Sequence, residues 1–257
     1  MNPVIDARVY EAFADIYDRV MRDVDYDSWS RHILHLAKRF KFEGKKILEL
    51  ACGTGSMALR FAALGYRVVG VDRSESMIRH ARAKLASAPF PVHLFCGSMQ
   101  SLSSLELDRD FDLGTCLYDS LNYILEETEL ARCFSEVRAH LRSGGGFIFD
   151  VTTEYNLLHN FAGYTFAENF EDSSYIWEND YNLENKICVS KVTIFHHEQD
   201  RYSKYVEMHE QRVYSTALLT KLLQQQGFEV LGAFHNLTEK PVQTECERIH
   251  FVCRKTG

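Results

Sequence analysis

Between Lys45 and Thr152 the chain alternates short apolar runs with amphipathic stretches of helical period, and this alternation constrains the fold more than any single motif. "KILEL", "YRVVGVD", "PVHLFC", "FDLGTCLY" and "FIFDVT" have the length and β-branched character of strands. Between them lie "SMALRFAALG", "ESMIRHARAKLA" and a longer helical stretch from about Glu127 to Leu141 that stops at "SGGG". Gly65 closes the first helix and Ser74 caps the second. Strands that alternate with helices run parallel, because each crossover must carry the chain back across the sheet. The expected fold is therefore an α/β, Rossmann-like parallel sheet with helices on both faces.

The flanks depart from this rhythm. Two amphipathic helices are expected near Val9 to Met21 and Ser28 to Phe40, the second with Trp29, Ile33, Leu36 and Phe40 on one face, so that residues 1–44 form a helical cap. From 163 to 214 the chain is rich in aromatic and β-branched residues, with polar breaks at "EDSS", "NLENK" and "HEQDR", the pattern of antiparallel hairpins. "STALLTKLLQQQG", "FEVLGAF" and "RIHFVCR" then restore helix and strand. The expected organisation is one α/β domain, residues 45–162 and 215–257, interrupted by a β-rich insertion that covers the acceptor as a lid.

A chain of 257 residues with 46% hydrophobic content can bury a full core. No apolar run approaches the ~20 residues needed to cross a bilayer, and the start lacks a signal-peptide pattern, so a cytoplasmic protein without a membrane partner is expected. Seven cysteines without a Cys-x-x-Cys pair argue against a disulfide framework and a zinc knuckle. The net charge of -7 disfavours nucleic acid as a partner. "KRFKFEGKK" at 38–46 reads as a solvated helix end and turn, and His196 and His197 in "FHHEQD" as a solvated turn with no metal.

The chemistry concentrates at "LELACGTG", residues 48–55, where the first strand turns into its helix at Gly53 and Gly55. Open α/β sheets bind ligands there, beyond the carboxyl ends of their strands. Ala58 stands at the third position of a dinucleotide fingerprint, which leaves NAD open on spacing alone, and the Gly-Lys-Ser/Thr of a nucleotide-phosphate loop is absent. Glu49 suits a cation better than a pyrophosphate. Asp72, ending the second strand, is placed to accept from both hydroxyls of a ribose. An adenosine whose attached chain is cationic describes S-adenosylmethionine.

"ILELACGTG", "VVGVDRSESMIRHAR", "FDLGTCLYDSLNYI" and "GGGFIFDV" resemble the class I S-adenosylmethionine-dependent methyltransferases over Lys45 to Thr152. The resemblance implies that Glu49 and the Ala51, Cys52, Gly53, Thr54, Gly55 backbone hold the methionine portion, with Asp72 on the ribose and Arg73 and Met77 beside it. Cys116 belongs to the same cofactor set. In "FCGSM" the family commonly has Asp before Met; Ser98 stands there, so adenine recognition would rest on Ser98 and on packing by Met99.

Methyl transfer from a sulfonium needs an acceptor held in line and uncharged, which for an amine means removing a proton. "LYDSLNY" places Tyr118, Asp119, Asn122 and Tyr123 at the carboxyl end of the fourth strand, and Asp119 could orient or deprotonate an amine. The chain has four prolines, none beside another or before a cysteine, which weighs against the base-modifying branches. "LYDSLNYI", "FADIYD" and the insertion resemble aminosugar N,N-dimethyltransferases and glycine-type N-methyltransferases. That resemblance implies a small-molecule amine acceptor, with Tyr17 and Asp18 closing over the cofactor and Tyr17 in a catalytic place. Trp177, Arg212 and Tyr214 are candidate acceptor contacts, O-methylation and RNA or protein methylation are the alternatives, and a monomer or homodimer is expected.

Overall fold

The computed structural model describes residues 4–86, 88 and 90–257. In chain order its elements begin with β1 (Val4–Asp6), α1 (Ala14–Val20), α2 (Tyr26–Arg39), β2 (Lys46–Leu50), α3 (Ser56–Ala63), β3 (Arg67–Asp72), α4 (Glu75–Leu85), β4 (Val92–Cys96) and β5 (Phe111–Cys116). They continue with α5 (Glu127–His140), β6 (Leu141–Thr152), α6 (Glu154–Asn156), β7 (Thr165–Asn169), β8 (Ser173–Asn182), β9 (Ile187–Glu198), β10 (Arg201–Arg212), α7 (Thr216–Gln225), β11 (Phe228–His235) and β12 (Arg248–Lys255).

Seven strands form one sheet in the order β11-β12-β6-β5-β2-β3-β4. β2 pairs parallel with both β3 and β5, whereas β12 runs antiparallel to β6 and β11. The chain thus leaves β2 toward one edge and returns to its other side, so the strand order reverses at β2. Alternating side chains feed the two faces. Leu48, Phe147, Phe149 and Phe251 pack in one layer with residues of α5 and α7, while Ile47, Ile148 and Val252 pack in the other against α2 and α3. Capping is local where the sequence has cap residues: Ser74 accepts from the Met77 N–H, Asp25 from Ser28 and Ser215 from Leu218.

The insertion forms a second sheet, β1-β10-β9-β8-β7, whose hairpins turn at the three polar breaks. Four details differ from the sequence expectations. β1 is a strand paired parallel to β10, not part of a helical cap. The first helix starts only at Ala14, because residues 10–13 form a turn in which the N–H groups of Tyr10, Glu11, Ala12 and Phe13 all point to the buried carboxylate of Glu207 on β10. The insertion's apolar face does not lie on the mouth of the large sheet: Tyr175, Val192 and Ile194 pack on Ala12, Phe13 and Ile16. His196 and His197 sit within β9 rather than in a turn, and among the described residues no His, Cys, Asp or Glu group could hold a metal ion. No helix among them is long and apolar enough to cross a membrane.

Candidate active site

The turn after β2 is a run of left-handed backbone at Ala51, Gly53 and Gly55, with φ of 50°, 54° and 78°. At Gly55 the left-handed φ strains any side chain, and a Cβ would come within 2.9 Å of Leu85 Cδ1 and 3.3 Å of Ala81 Cβ. At Gly53 a Cβ would meet nothing within 4 Å, and Gly53 lines an open cleft. Asp72 at the end of β3 holds the turn in place: its carboxylate accepts from the N–H of Gly53 at 2.9 Å and of Ser74 at 2.8 Å. The cleft opens beyond the carboxyl ends of β2, β3 and β5, at the point where the strand order reverses.

Glu49 is 3% exposed, and its Oε2 has no hydrogen-bond partner. Burial, with Asp72 adding like charge, pushes its pKa up from 4.5 to about 8. A buried carboxylate without a partner at the wall of a cleft is a site for a cation or for a donor group. The sign of the pH dependence follows. In the ligand-free protein Glu49 holds a proton between pH 4.5 and about 8 that the unfolded chain has lost, so its contribution to stability falls as pH rises through that window. A cationic ligand favours the charged form. Affinity for S-adenosylmethionine and for its demethylated product should therefore rise with pH up to about 8, and binding at pH 7 should release a proton. Calorimetry in buffers of different ionisation enthalpy checks this; binding without proton release at pH 7 would remove Glu49 from the cation site.

On the far side of the cleft, the Ser98 hydroxyl donates to Gln100 Oε1 at 2.7 Å and accepts from the Gln100 N–H at 3.2 Å. Met99 lines the cleft beside it, while Cys116 lies behind Met99 in the core, fully buried. Arg73, Met77, Cys52 and Thr54 also line the cleft. The loop after β5 is forced by one buried acid. Tyr118 and Asp119 adopt positive φ, 59° and 50°, and both of their N–H groups donate to Asp150, at 2.8 and 2.9 Å. Tyr118 stacks on Trp29 with ring centroids 4.2 Å apart and lines the cleft, as does Tyr123.

Asp119 itself turns away. Its carboxylate pairs with Arg248 at 2.7 Å and accepts from Gln211, and Arg248 also pairs with Asp150. Asp119 does not line the cleft, and its carboxylate is taken up by Arg248 and Gln211, so the geometry does not support the general-base role. Asp119→Asn should lower turnover less than about tenfold, well under the ~10²–10⁴ of a lost base. Steady-state rates decide, and a loss beyond a hundredfold with unchanged folding would restore the role.

Four other expected acceptor contacts do not line the cleft. Asn122 is fully buried, donating to the Arg212 carbonyl and accepting from the Thr152 N–H. Arg212 donates to the Leu125 carbonyl and Tyr214 to that of Ile124. Trp177 packs edge-on against Phe13. Among the residues that sequence reasoning missed are two from the N-terminal segment: Tyr10 and Tyr26 line the cleft together with Tyr17. α1 is fastened over the glycine turn through Asp18, which accepts from the Thr54 hydroxyl at 2.6 Å and from Lys84 at 2.7 Å. Lys84 also donates to Thr54 and Ser56, each at 2.8 Å. A tyrosine at helical spacing reads as core in a sequence, and only the "FADIYD" resemblance pointed here.

The comparisons with known proteins agree with this geometry. A family profile described as "Methyltransferase domain" matches residues 47–145. A candidate methyltransferase of Geobacillus sp. (strain WCH70) is 35% identical over 249 residues, 96% of this chain and 99% of its own. A solved S-adenosylmethionine-dependent methyltransferase from Clostridium acetobutylicum ATCC 824 superposes with a TM-score of 0.82 at 30% identity, covering 96% of this chain and 99% of that one. The dTDP-3-amino-3,4,6-trideoxy-alpha-D-glucopyranose N,N-dimethyltransferase of Streptomyces venezuelae is 30% identical over 134 residues, 51% of this chain and 54% of its own. The partnerless Glu49 oxygen and the open space beside Gly53 fit a cationic adenosine cofactor at the turn that Asp72 holds. The chain belongs to the S-adenosylmethionine-dependent methyltransferases and is an enzyme of that family.

Proposed function

We propose that the enzyme methylates a small molecule at an amine nitrogen. The observation that carries this reading is the ring of tyrosines on the cleft. Tyr10, Tyr17, Tyr26, Tyr118 and Tyr123 all line it, and neighbouring rings lie 5.5–6.1 Å apart. Burial raises the pKa of each, so their hydroxyls stay neutral at physiological pH. Neutral phenols offer electron-rich faces and hydroxyl lone pairs to an ammonium or a half-methylated amine. The amino-sugar N,N-dimethyltransferase similar to half of this chain supports the same acceptor chemistry.

When bound, the cofactor supplies an electrophilic methyl group on a positively charged sulfur. In this reading Glu49 faces the cationic amino-acid end and Asp72 accepts from the ribose hydroxyls. Met77 and Met99 pack the adenine beside Ser98. The N-terminal segment, fastened by Asp18 to Lys84 and Thr54, keeps water from the reacting atoms, with the insertion sheet at its back. Residues 1–44 then serve as cover and 163–214 as the support that holds it shut.

The test is transfer of labelled methyl from S-adenosylmethionine to a panel of glycine, alkylamines, glucosamine and a dTDP-linked 3-amino sugar, with the corresponding hydroxy compounds beside them. Label is expected on amines; label only on the hydroxy compounds would replace this reading with O-methylation.

A further inference from the structure

One buried acid–histidine pair sits behind the tyrosine ring, and the cofactor-binding residues do not use it. Glu207 is fully buried and His209 is 3% exposed. They stand two residues apart on β10, hence on the same face, with His209 Nε2 2.9 Å from Glu207 Oε2. His209 Nδ1 lies 3.2 Å from the Tyr123 hydroxyl, which lies 2.7 Å from the Tyr10 hydroxyl. Tyr10 and Tyr123 both line the cleft.

The donors fix the direction of this chain. The Glu207 carboxylate accepts the N–H of Tyr10 at 2.7 Å, Glu11 at 3.1 Å, Ala12 at 2.7 Å and Phe13 at 2.9 Å. Burial by itself would raise its pKa, but His209 and these N–H groups outweigh burial and hold it below the ordinary carboxylate value. An ionised Glu207 can only accept, so His209 Nε2 carries a proton, and in the neutral ring Nδ1 then presents a lone pair. Tyr123 then donates to Nδ1 and Tyr10 donates to Tyr123. The open end is a lone pair on the Tyr10 oxygen, at the wall of the cleft.

We propose that Tyr10, Tyr123 and His209 form a proton relay that takes the proton from the acceptor nitrogen, with Glu207 holding the imidazole in the receiving tautomer; this rests on the amine reading above. The N–H bond of the acceptor ammonium breaks as an O–H bond forms at Tyr10. The Tyr10 proton passes to the Tyr123 oxygen, and the Tyr123 proton passes to Nδ1. Burial keeps both phenols neutral, so the protons shift together and no tyrosinate accumulates. The nitrogen keeps its electron pair, which forms the new N–C bond while the C–S pair leaves with sulfur. His209 becomes an imidazolium beside ionised Glu207 and returns its proton to solvent along the same path after product leaves. The titratable groups facing the relay are Glu207 on β10, Tyr17 on α1, Asp119 after β5, Asp72 at the end of β3 and Arg73 after it, besides the relay members. Tyr10 and Tyr123 are the groups at the acceptor; His209 and Glu207 act through them.

Two measurements test the relay. In ¹⁵N-histidine spectra of the S-adenosylhomocysteine complex, the relay requires His209 Nε2 protonated and Nδ1 bare; a proton on Nδ1, in the neutral or the charged ring, overturns the direction and with it the proposal. Tyr123→Phe and His209→Gln are then compared with the unaltered enzyme, using the dTDP-linked 3-amino sugar as acceptor. Each variant should lose about 10²-fold in kcat/KM near neutral pH, keep its affinity for S-adenosylhomocysteine, and recover at high pH where the amine is already free base. A loss that is the same at every pH, or that follows cofactor affinity, would make the cluster a structural lock and overturn the relay. Should the unaltered enzyme methylate no amine, the amine reading fails on its own, and the imidazole spectrum still decides the direction of the chain.

Discussion

Glu207→Ala should lower the melting temperature by roughly 6–20 °C. A buried donor left without an acceptor costs about 1–3 kcal/mol, so a few of them together cost about 3–5 kcal/mol, and each kcal/mol shifts the melting temperature of a domain this size by roughly 2–4 °C. Here one carboxylate serves four backbone N–H groups and the His209 ring, and its bonds to Ala12, Phe13 and His209 are buried. The substitution leaves them without an acceptor and opens a cavity between β10 and the start of α1. Glu207→Gln should lie between the two, since it keeps one acceptor oxygen but turns an amide N–H₂ toward donors. Thermal unfolding followed by circular dichroism provides the measurement. A change of under about 2 °C in the alanine variant would mean that residues 10–13 find other partners and that the N-terminal segment is held by packing alone.

Asp72→Ala should weaken binding of S-adenosylhomocysteine by about ten- to a hundredfold. A hydrogen bond to a charged group contributes about 1.5–3 kcal/mol, and 1.4 kcal/mol is tenfold in affinity. Asp72 has two tasks, however. Besides offering lone pairs to a ribose, it holds the N–H groups of Gly53 and Ser74, so its loss frees the glycine turn as well as removing a ligand contact. Asp72→Asn keeps one acceptor oxygen and should cost about tenfold. The same substitutions reach Glu49, whose raised proton affinity includes the like charge of Asp72. Removing that charge should lower the pKa of Glu49 and shrink the proton released on binding at pH 7. Calorimetry reports both quantities in one titration, and affinity within about threefold of the unaltered protein would exclude Asp72 from the ribose site.

The sequence by itself determined what depends on neighbours along the chain. The strand and helix alternation gave the parallel sheet, Ser74 gave a helix cap, and the glycines of "LELACGTG" gave the turn. Glu49 and Asp72 were legible as a pair for the same reason: β2 and β3 are consecutive parallel strands, so their carboxyl ends meet at one place in the sheet. Tertiary structure alone decided which side chains share the acceptor end. "EMHEQR" shows a period-two face bearing Glu207 and His209, yet nothing in it says that the face meets residues 10–13, almost two hundred positions earlier. Asp119 shows the converse. Its place after β5 was correctly read, but the direction of its carboxylate is set by Arg248, on a strand that reaches it only by pairing antiparallel to β6. Periodicity fixes the face on which a residue lies; long-range strand pairing fixes what that face meets, and the charge of the partner then decides whether an acid is a base or one half of an ion pair.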